Sequence, residues 1–444
     1  MFDMIISGGT VVNADGEARA DVAITDGRVA AILSPGDMVE ARSMVDAAGC
    51  HLLPGLVDAH AHLREPGLTQ KEDFDSGTRA AALGGVTSVF DMPTDDPWTA
   101  TGEQLAEKME MARERIHVDV GFQAVLSRDL TSLEGLLTLR PVSLELFTAD
   151  VPEAFRFDTT DAVAEVLKRL VGRGTMIGIS PGDQSILEGS GQRNRAGDIA
   201  AFLASRPPLA EAGGMARAVL AAAEIGAPIH IRQINSAIGV SAWRRLRDMA
   251  DATVETTPQN LFFIAEDYAT VGANLKGSPP LRNVRDVEAM RAALSEGVID
   301  IVATDHAPHS LADKAASYAA FGDIPGGMPG LQTLLPTTLK LVEEGVIGLA
   351  DLVRMCARNP AGRFGLGRTK GVIAPGYDAD ILVVDRRRTS VISNAEQASR
   401  AAYTPFDGWS IPARLTHVFL RGQEIVRDGA IIVETRGAVV AREL

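Results

Sequence analysis

The sequence contains little cysteine and no long uninterrupted apolar run. Two cysteines, Cys50 and Cys356, argue against a disulfide framework and favour a reducing compartment, and both are expected to be buried apolar residues. The N-terminus lacks a basic segment followed by an apolar signal core, and no apolar run reaches the length that spans a bilayer. We therefore expect a soluble, cytoplasmic protein that does not bind a membrane.

Positive charge is also scarce. Lysine and arginine total 43 against 58 acidic residues, which gives a formal net charge of −15, and no cluster of basic residues occurs. Because nucleic-acid binding depends on clustered cations at phosphates, the composition argues against a nucleic-acid partner. The length of 444 residues is too great for one ordinary domain and fits a large barrel with a smaller appendage.

From about residue 53, apolar strands alternate with helical stretches rich in alanine, leucine and glutamate. The strands are predicted near residues 53–58, 86–91, 118–125, 142–147, 175–180, 228–234, 252–257 and 299–304. Intervening helices are predicted to include residues 73–83, 102–115, 160–172, 211–225 and 284–296. Eight such β/α units predict a TIM barrel, in which catalytic residues lie at the C-terminal ends of the strands.

The segments on either side of this region share a different pattern of short strands separated by turns. We predict that residues 1–52 and 371–444 pair into one composite β-sandwich, while residues 53–370 form the TIM-barrel catalytic domain. The predicted fold class is therefore α/β, a (β/α)8 barrel with a small β-sandwich domain built from both termini.

Ionisable residues mark the ends of three predicted barrel strands. His60 and His62 follow the first strand, where the alternation of side chains places both on one side, about 7 Å apart at the backbone. Asp305 ends the eighth strand, which neighbours the first in a closed barrel, and Glu145 ends the fourth. Two imidazoles and two carboxylates predict a site for zinc or a similar divalent ion, with Asp305 moving a proton.

These residues also have structural interpretations. The histidine pair could form a polar patch in the core or meet solvent, Glu145 could be half of a buried ion pair, and Asp305 could cap a turn or helix. His309 could touch a substrate, or it could support the site from outside it. His230 is three residues from Gln233, so we expect it to face the opposite way and to pack between strand and helix.

The motifs around these residues resemble those of the cyclic amidohydrolases, the group of dihydroorotase, allantoinase and the hydantoinases. The segments that carry the resemblance are DAHAHLREPG at 58–67, GGVT at 84–87, SPPLR at 278–282, TDHAPH at 304–309, NPA at 359–361 and GYDAD at 376–380. The resemblance covers nearly the whole chain. It implies a TIM barrel beside a composite β-sandwich, hydrolysis of a small cyclic amide by a metal-activated water, and a homodimer or homotetramer.

The sequence departs from this group at the metal site. The group's two-metal site uses a carboxylated lysine on the fourth strand, where this chain has Glu145. It also uses histidines on the fifth and sixth strands, where this chain has Ser180 and Gln233, which are poor zinc ligands. We therefore expect the second metal position to be lost and one divalent ion, zinc, to remain. Its expected ligands are His60, His62, Glu145 and Asp305.

The resemblance also identifies candidate substrate-binding residues. Arg64 matches the arginine with which dihydroorotases hold the substrate carboxylate, although it could instead pair with the neighbouring Glu65 or Asp95. Thr94 stands in place of the asparagine that assists that arginine. Ser278 resembles the hydantoinase serine that holds the ureide edge of the ring, or it could only shape the following turn. The remaining candidate is His309.

Together these features predict a metal-dependent hydrolase that opens a cyclic amide, imide or ureide ring. In this hydrolase, Asp305 takes the proton of the attacking water and passes it to the leaving nitrogen. The alternative is a catalytically inactive dihydroorotase-like subunit that acts as an assembly partner, because two histidines of the metal site are missing. The presence of His60, His62 and Asp305 together argues against that alternative.

Overall fold

The computed structural model describes residues 1–37, 39–433 and 435–443. Within these residues, eight parallel strands pair in the order in which they follow one another along the chain. Their bounds are Leu56–Ala61, Val86–Asp91, Asp119–Val125, Ser143–Phe147, Met176–Ser180, Ile229–Ile231, Ala252–Thr256 and Ile301–Val302. Each strand lies at a predicted position, and we number them as barrel strands one to eight.

The barrel closes between its first and eighth strands. The backbone N–H of His62 donates to the carbonyl of His306 at 2.7 Å, and Ala61 forms a parallel bridge with the same residue. On the inner side, the carboxylate of Asp58 accepts the backbone N–H of Thr304 at 3.1 Å. These contacts bring the ends of the first and eighth strands together at one mouth of the barrel.

Helices alternate with the barrel strands along the chain, as βα units require. Their bounds are Phe74–Leu83, Gly102–Ala112, Leu133–Thr138, Thr160–Leu170, Gln184–Arg193, Ile199–Ser205, Pro208–Ile225, Ala237–Leu246, Gln259–Phe262, Tyr268–Val271, Val284–Ser295, Leu311–Ala315, Leu334–Glu343, Leu349–Val353 and Asn359–Arg363. The first begins after Asp73, whose side chain accepts the N–H of Ser76 at 2.8 Å as a helix cap. The five helices named from the sequence are all present, with ends shifted by a few residues.

The second domain contains strands from both ends of the chain. One sheet joins Thr10–Asn13, Gly16–Arg19 and His51–Pro54 to Ile381–Asp385, Arg414–Leu420, Gln423–Arg427 and Ala430–Ile431. A second sheet consists of Phe2–Ser7, Asp21–Thr25, Arg28–Leu33 and Ala41–Asp46. A short ladder joins Ser390–Val391 to Ser410–Ile411. The predicted fold class, a barrel with a β-rich domain built from both termini, is confirmed.

The end of the chain differs from the predicted range of the β domain. Val439–Val440 pairs in parallel with the third barrel strand, with Val120 opposite Val439. The backbone N–H of Ala438 also donates to the carboxylate of Asp119 at 2.8 Å. The C-terminal segment therefore leaves the β domain and packs on the barrel.

Apolar side chains of both terminal segments fill the core of the β domain. This core contains Ile6, Val22, Leu52, Ile381 and Phe419, all essentially inaccessible to solvent. Burial of such surface from two distant segments contributes about 25 cal/mol for each Å² removed from water, which holds the two ends together. Among the described residues, none of the helices combines the length and apolar character needed to cross a membrane.

Candidate metal centre and active site

Three of the expected ligands converge at the mouth of the barrel. Nε2 of His60 lies 3.3 Å and Nε2 of His62 lies 3.2 Å from one oxygen, Oδ1, of Asp305. The ligand atoms of all three residues lie within 4.8 Å of one another. Imidazole nitrogen and carboxylate oxygen are the donors that zinc prefers, and catalytic zinc sites use three protein ligands with one open position. The donor set therefore fits one divalent ion.

Each histidine is fixed through its other ring nitrogen. Nδ1 of His60 lies 2.5 Å from Oε1 of Glu255, and Nδ1 of His62 lies 2.9 Å from Oγ1 of Thr94. A carboxylate can only accept, so Nδ1 of His60 carries a hydrogen. Thr94, predicted to bind substrate, thus contacts the imidazole of His62. Both rings present Nε2 to Asp305.

The charge state of the two rings differs. Burial, helped by the nearby guanidinium of Arg64, lowers the pKa of His62 to about 3, so this ring is neutral. Burial alone would lower the pKa of His60 as well, but the carboxylates of Glu255 and Asp305 raise it above its ordinary value. His60 is therefore held in a more negative environment than His62.

Asp305 is oriented by Gln233, which follows the sixth barrel strand. The side-chain N–H of Gln233 donates to Oδ2 of Asp305, which leaves Oδ1 facing the histidines. Both residues have left-handed backbones, with φ of 46° at Gln233 and 47° at Asp305. Such conformations cost free energy in residues other than glycine and are concentrated at functional sites. Gln233 thus belongs to the candidate site as a donor to Asp305.

The structure differs from the expectation at Glu145, which pairs with a buried arginine. Nη2 of Arg232 lies 2.7 Å from Oε1 of Glu145, and Nε of the same arginine lies 3.2 Å from Oε2. Both side chains are inaccessible to solvent. Among the described residues, the group of converging ligand atoms does not include Glu145. The reason is that a buried guanidinium requires a carboxylate, and Glu145 supplies both of its oxygens to it.

His230 also lies where the sequence did not predict it. Its Nε2 is 3.0 Å from Oε2 of Glu255 and its Nδ1 is 2.8 Å from Oγ1 of Thr253. It shares Glu255 with Arg232, two residues further along, so both side chains lie on the same side of the chain. The alternation used to orient His230 does not extend to Gln233, because the strand ends at Ile231. His230 is packed and buried, but against this polar cluster.

A cavity of about 240 Å³ opens beside His60, His62 and Asp305. These three side chains belong to its wall, together with Ser180 and Gln233. Polar groups at the other parts of the wall include Ser278, Arg206 and Arg282. Much of the remaining wall is apolar, from Phe147, Val151, Leu187, Pro207 and Pro279. Such a cavity suits a small ring with polar edges.

Arg64 is close enough to His62 to lower its pKa, and both Arg64 and His309 have unused hydrogen-bonding capacity. Nε of Arg64 and Nδ1 of His309 are buried and have no hydrogen-bond partner among the described residues. The suggested partners of Arg64 are engaged elsewhere, since Glu65 pairs with Arg115 at 2.7 Å and Asp95 with Lys108 at 2.6 Å. Burial and the charge of Arg64 lower the pKa of His309 to about 3, so its ring is neutral.

Sequence reasoning missed Arg232 and Glu255. Each is a charged residue inside a predicted apolar barrel strand, in residues 228–234 and 252–257 respectively. A charge at such a position is itself a signal, because it must be paired inside the barrel or lie at its mouth. Glu145 is likewise a charged residue in a predicted strand. The sequence therefore contained all three charged residues, but it did not show which of them pair.

The chain resembles known proteins in both sequence and structure. The model of the amidohydrolase family matches residues 51–246 and 210–425. A dihydroorotase of Methanothermobacter thermautotrophicus is 31% identical over 443 residues, which cover 100% of this chain and 98% of that protein. An allantoinase of Bacillus velezensis is 31% identical over 437 residues, which cover 96% of this chain and 95% of the relative. The solved structure of the L-hydantoinase from Arthrobacter aurescens has a TM-score of 0.95 and 28% identity, and the match covers 100% of both chains.

Proposed function

We propose that this chain, which belongs to the amidohydrolase family, hydrolyses the ring amide of a cyclic amide, imide or ureide with one divalent metal ion. The observation that carries the proposal is the convergence of His60, His62 and Asp305 on one point at the mouth of the barrel. An inactive assembly subunit would have no need of this arrangement. The full-length similarity to a dihydroorotase, an L-hydantoinase and an allantoinase also supports a hydrolase.

The ion would be held by His60, His62 and Asp305, with zinc as the proposed metal. When bound, such an ion polarises a carbonyl and lowers the pKa of a coordinated water towards neutrality. Loss of histidine at Ser180 and Gln233, and the engagement of Glu145 by Arg232, support one ion per chain. The charge and the donor chemistry of the three ligands support this choice of metal.

Asp305 is the proposed proton carrier. It takes a proton from the attacking water and delivers it to the ring nitrogen as the carbon–nitrogen bond breaks, which leaves a carboxylate and a free amino or amide nitrogen. Gln233 holds Oδ2 of Asp305 and so fixes the direction from which the proton is exchanged. His62 is held by Thr94 and contributes no proton, because the proposed ion would occupy its Nε2.

We further propose that the substrate carries an acidic group. Arg64 has a buried Nε without a partner among the described residues, and a guanidinium suits a carboxylate because it donates along two parallel directions. His309 offers a second polar atom close to it, Nδ1, likewise unpartnered within the described chain. Ser278 lines the cavity and is the proposed partner for the ring's polar edge. The apolar walls would enclose the rest of the ring.

A cytoplasmic location and a homodimer or homotetramer are also part of the proposal. The location is supported by two cysteines that are both buried and unpaired. The homodimer or homotetramer is supported only by the resemblance to the family, and gel filtration with light scattering would measure the number of chains in the assembly.

The test is a spectrophotometric screen of purified, zinc-reconstituted protein. The substrates are dihydroorotate, allantoin, hydantoins, dihydrouracil and cyclic imides, with Asp305→Asn as the comparison. We expect turnover of at least one acidic ring by the wild type and its loss in Asp305→Asn, which circular dichroism should show to be folded. Absence of turnover with every substrate by a zinc-loaded protein would contradict the proposal.

A further inference from the structure

The interior of the barrel contains charged residues that the proposed reaction does not use. Arg232, Glu145 and Glu255 are inaccessible to solvent, whereas barrel interiors are usually filled by branched apolar side chains. Each buried ion costs several kcal/mol of lost hydration unless it is closely paired. This cost, together with the contact of Glu255 with His60, indicates a functional role for the cluster.

Arg232 is fixed by contacts to four barrel strands. Nη1 lies 3.0 Å from Oε2 of Glu255 and donates to the carbonyl of Ala59 at 2.9 Å. Nη2 lies 2.7 Å from Oε1 of Glu145 and also donates to the side-chain carbonyl of Gln123. These partners belong to the seventh, first, fourth and third strands. The guanidinium therefore cannot move without disturbing half of the barrel.

Glu255 connects this cluster to the metal centre. Its Oε2 faces Nη1 of Arg232 and Nε2 of His230, both at 3.0 Å. Its other oxygen, Oε1, is left for Nδ1 of His60, at 2.5 Å. Although burial raises the pKa of a carboxyl group, Arg232 and His60 hold the pKa of Glu255 well below its ordinary value, so the group is a carboxylate.

We propose that Glu255 and Arg232 are positioning residues of the metal centre. Glu255 holds the hydrogen on Nδ1 of His60 and so keeps Nε2 available as a ligand, while Arg232 holds Glu255 in place. This inference rests on the proposed metal centre but concerns residues that do not touch the ion.

The cluster provides its own matched control. Glu145 and Glu255 flank the same guanidinium and are equally buried, but Glu255 alone of the two contacts His60 among the described residues. Comparing Glu255→Gln with Glu145→Gln therefore separates an effect on His60 from a general effect on the barrel interior. Glutamine keeps the shape of each side chain and removes its charge.

The measurement is the zinc affinity of the metal-free protein, by competition with a chromophoric chelator and without substrate. Partners of this kind typically change metal affinity 10-fold to 100-fold, so Glu255→Gln should weaken zinc binding by about that factor. Glu145→Gln should change it by less than about threefold, because the contact of Glu255 with His60 remains. The visible spectrum of the Co²⁺-loaded protein should shift in Glu255→Gln and stay as in the wild type in Glu145→Gln.

Equal zinc affinities and spectra in wild type and Glu255→Gln would overturn the inference. Equal losses in Glu255→Gln and Glu145→Gln would also overturn it, because they would show a general packing effect. If Glu255→Gln does not fold, Arg232→Lys provides the test, since lysine keeps the charge but cannot bridge both carboxylates. Its zinc affinity should fall, and an unchanged affinity would contradict the role of Arg232. A wild type that binds no zinc would instead refute the proposed function.

Discussion

Glu145→Gln should destabilise the protein while leaving the metal centre intact. Breaking a buried ion pair by removing one partner costs about 3–5 kcal/mol, and we expect about 3 kcal/mol because Arg232 retains Glu255. Unfolding entropy is about 2.1 cal/mol/K for each residue, so over 444 residues this loss lowers Tm by roughly 3 °C. Differential scanning calorimetry of the metal-free protein measures this shift.

A surface carboxylate serves as the control for this change. Glu134 pairs with Arg173 at 2.7 Å, but its side chain is 75% exposed. Exposed ion pairs contribute about 0–1 kcal/mol, so Glu134→Gln should leave Tm nearly unchanged. The reasoning would be refuted if Glu145→Gln kept the wild-type Tm and lost its zinc, because Glu145 would then act as a metal ligand and not as the partner of Arg232.

Two other predictions follow from buried cations near the site. Arg64→Met should raise KM about 10-fold or more for rings with a carboxylate and much less for uncharged rings, because a charge-assisted hydrogen bond is worth about that much. Equal effects on both substrate classes would contradict the role of Arg64 in binding a carboxylate. Burial, Lys276 and Arg64 lower the pKa of Lys314 to about 7, far below its value of about 10.4 in an unfolded chain. Between these two pKa values the folded state binds fewer protons than the unfolded state, so stability increases with pH. The Tm of the wild type, measured relative to the Tm of Lys314→Met, should therefore rise from pH 7 to pH 9, and a fall would contradict the lowered pKa of Lys314.

The sequence was sufficient to predict the barrel and the convergence of His60, His62 and Asp305 at its mouth. In a barrel of this type, apolar strands alternate with helices along the sequence, and this alternation does not depend on how individual side chains pack. Each barrel strand could therefore be located from the sequence. His60 and His62 follow from the alternation within one strand, and Asp305 from the closure of the barrel. These inferences require only local geometry and the order of the strands.

The remaining parts of the site depend on contacts that no local pattern encodes. Whether Glu145 faces the metal or Arg232 is decided by the position of a guanidinium on another strand. Gln233 reaches Asp305 only because its backbone turns left-handed, with φ of 46°. The return of Val439–Val440 to the barrel is likewise a long-range pairing. Such choices between equally plausible partners require the three-dimensional structure.

The most direct test of the central claim is a zinc titration of the metal-free protein. Turnover of the best ring substrate is followed as zinc is added, and bound zinc is measured by elemental analysis. The account predicts that activity rises to its maximum at one zinc per chain and that Asp305→Asn shows no such rise. Maximal activity only at two zinc ions per chain, or activity that does not depend on zinc or any other divalent ion, would contradict it.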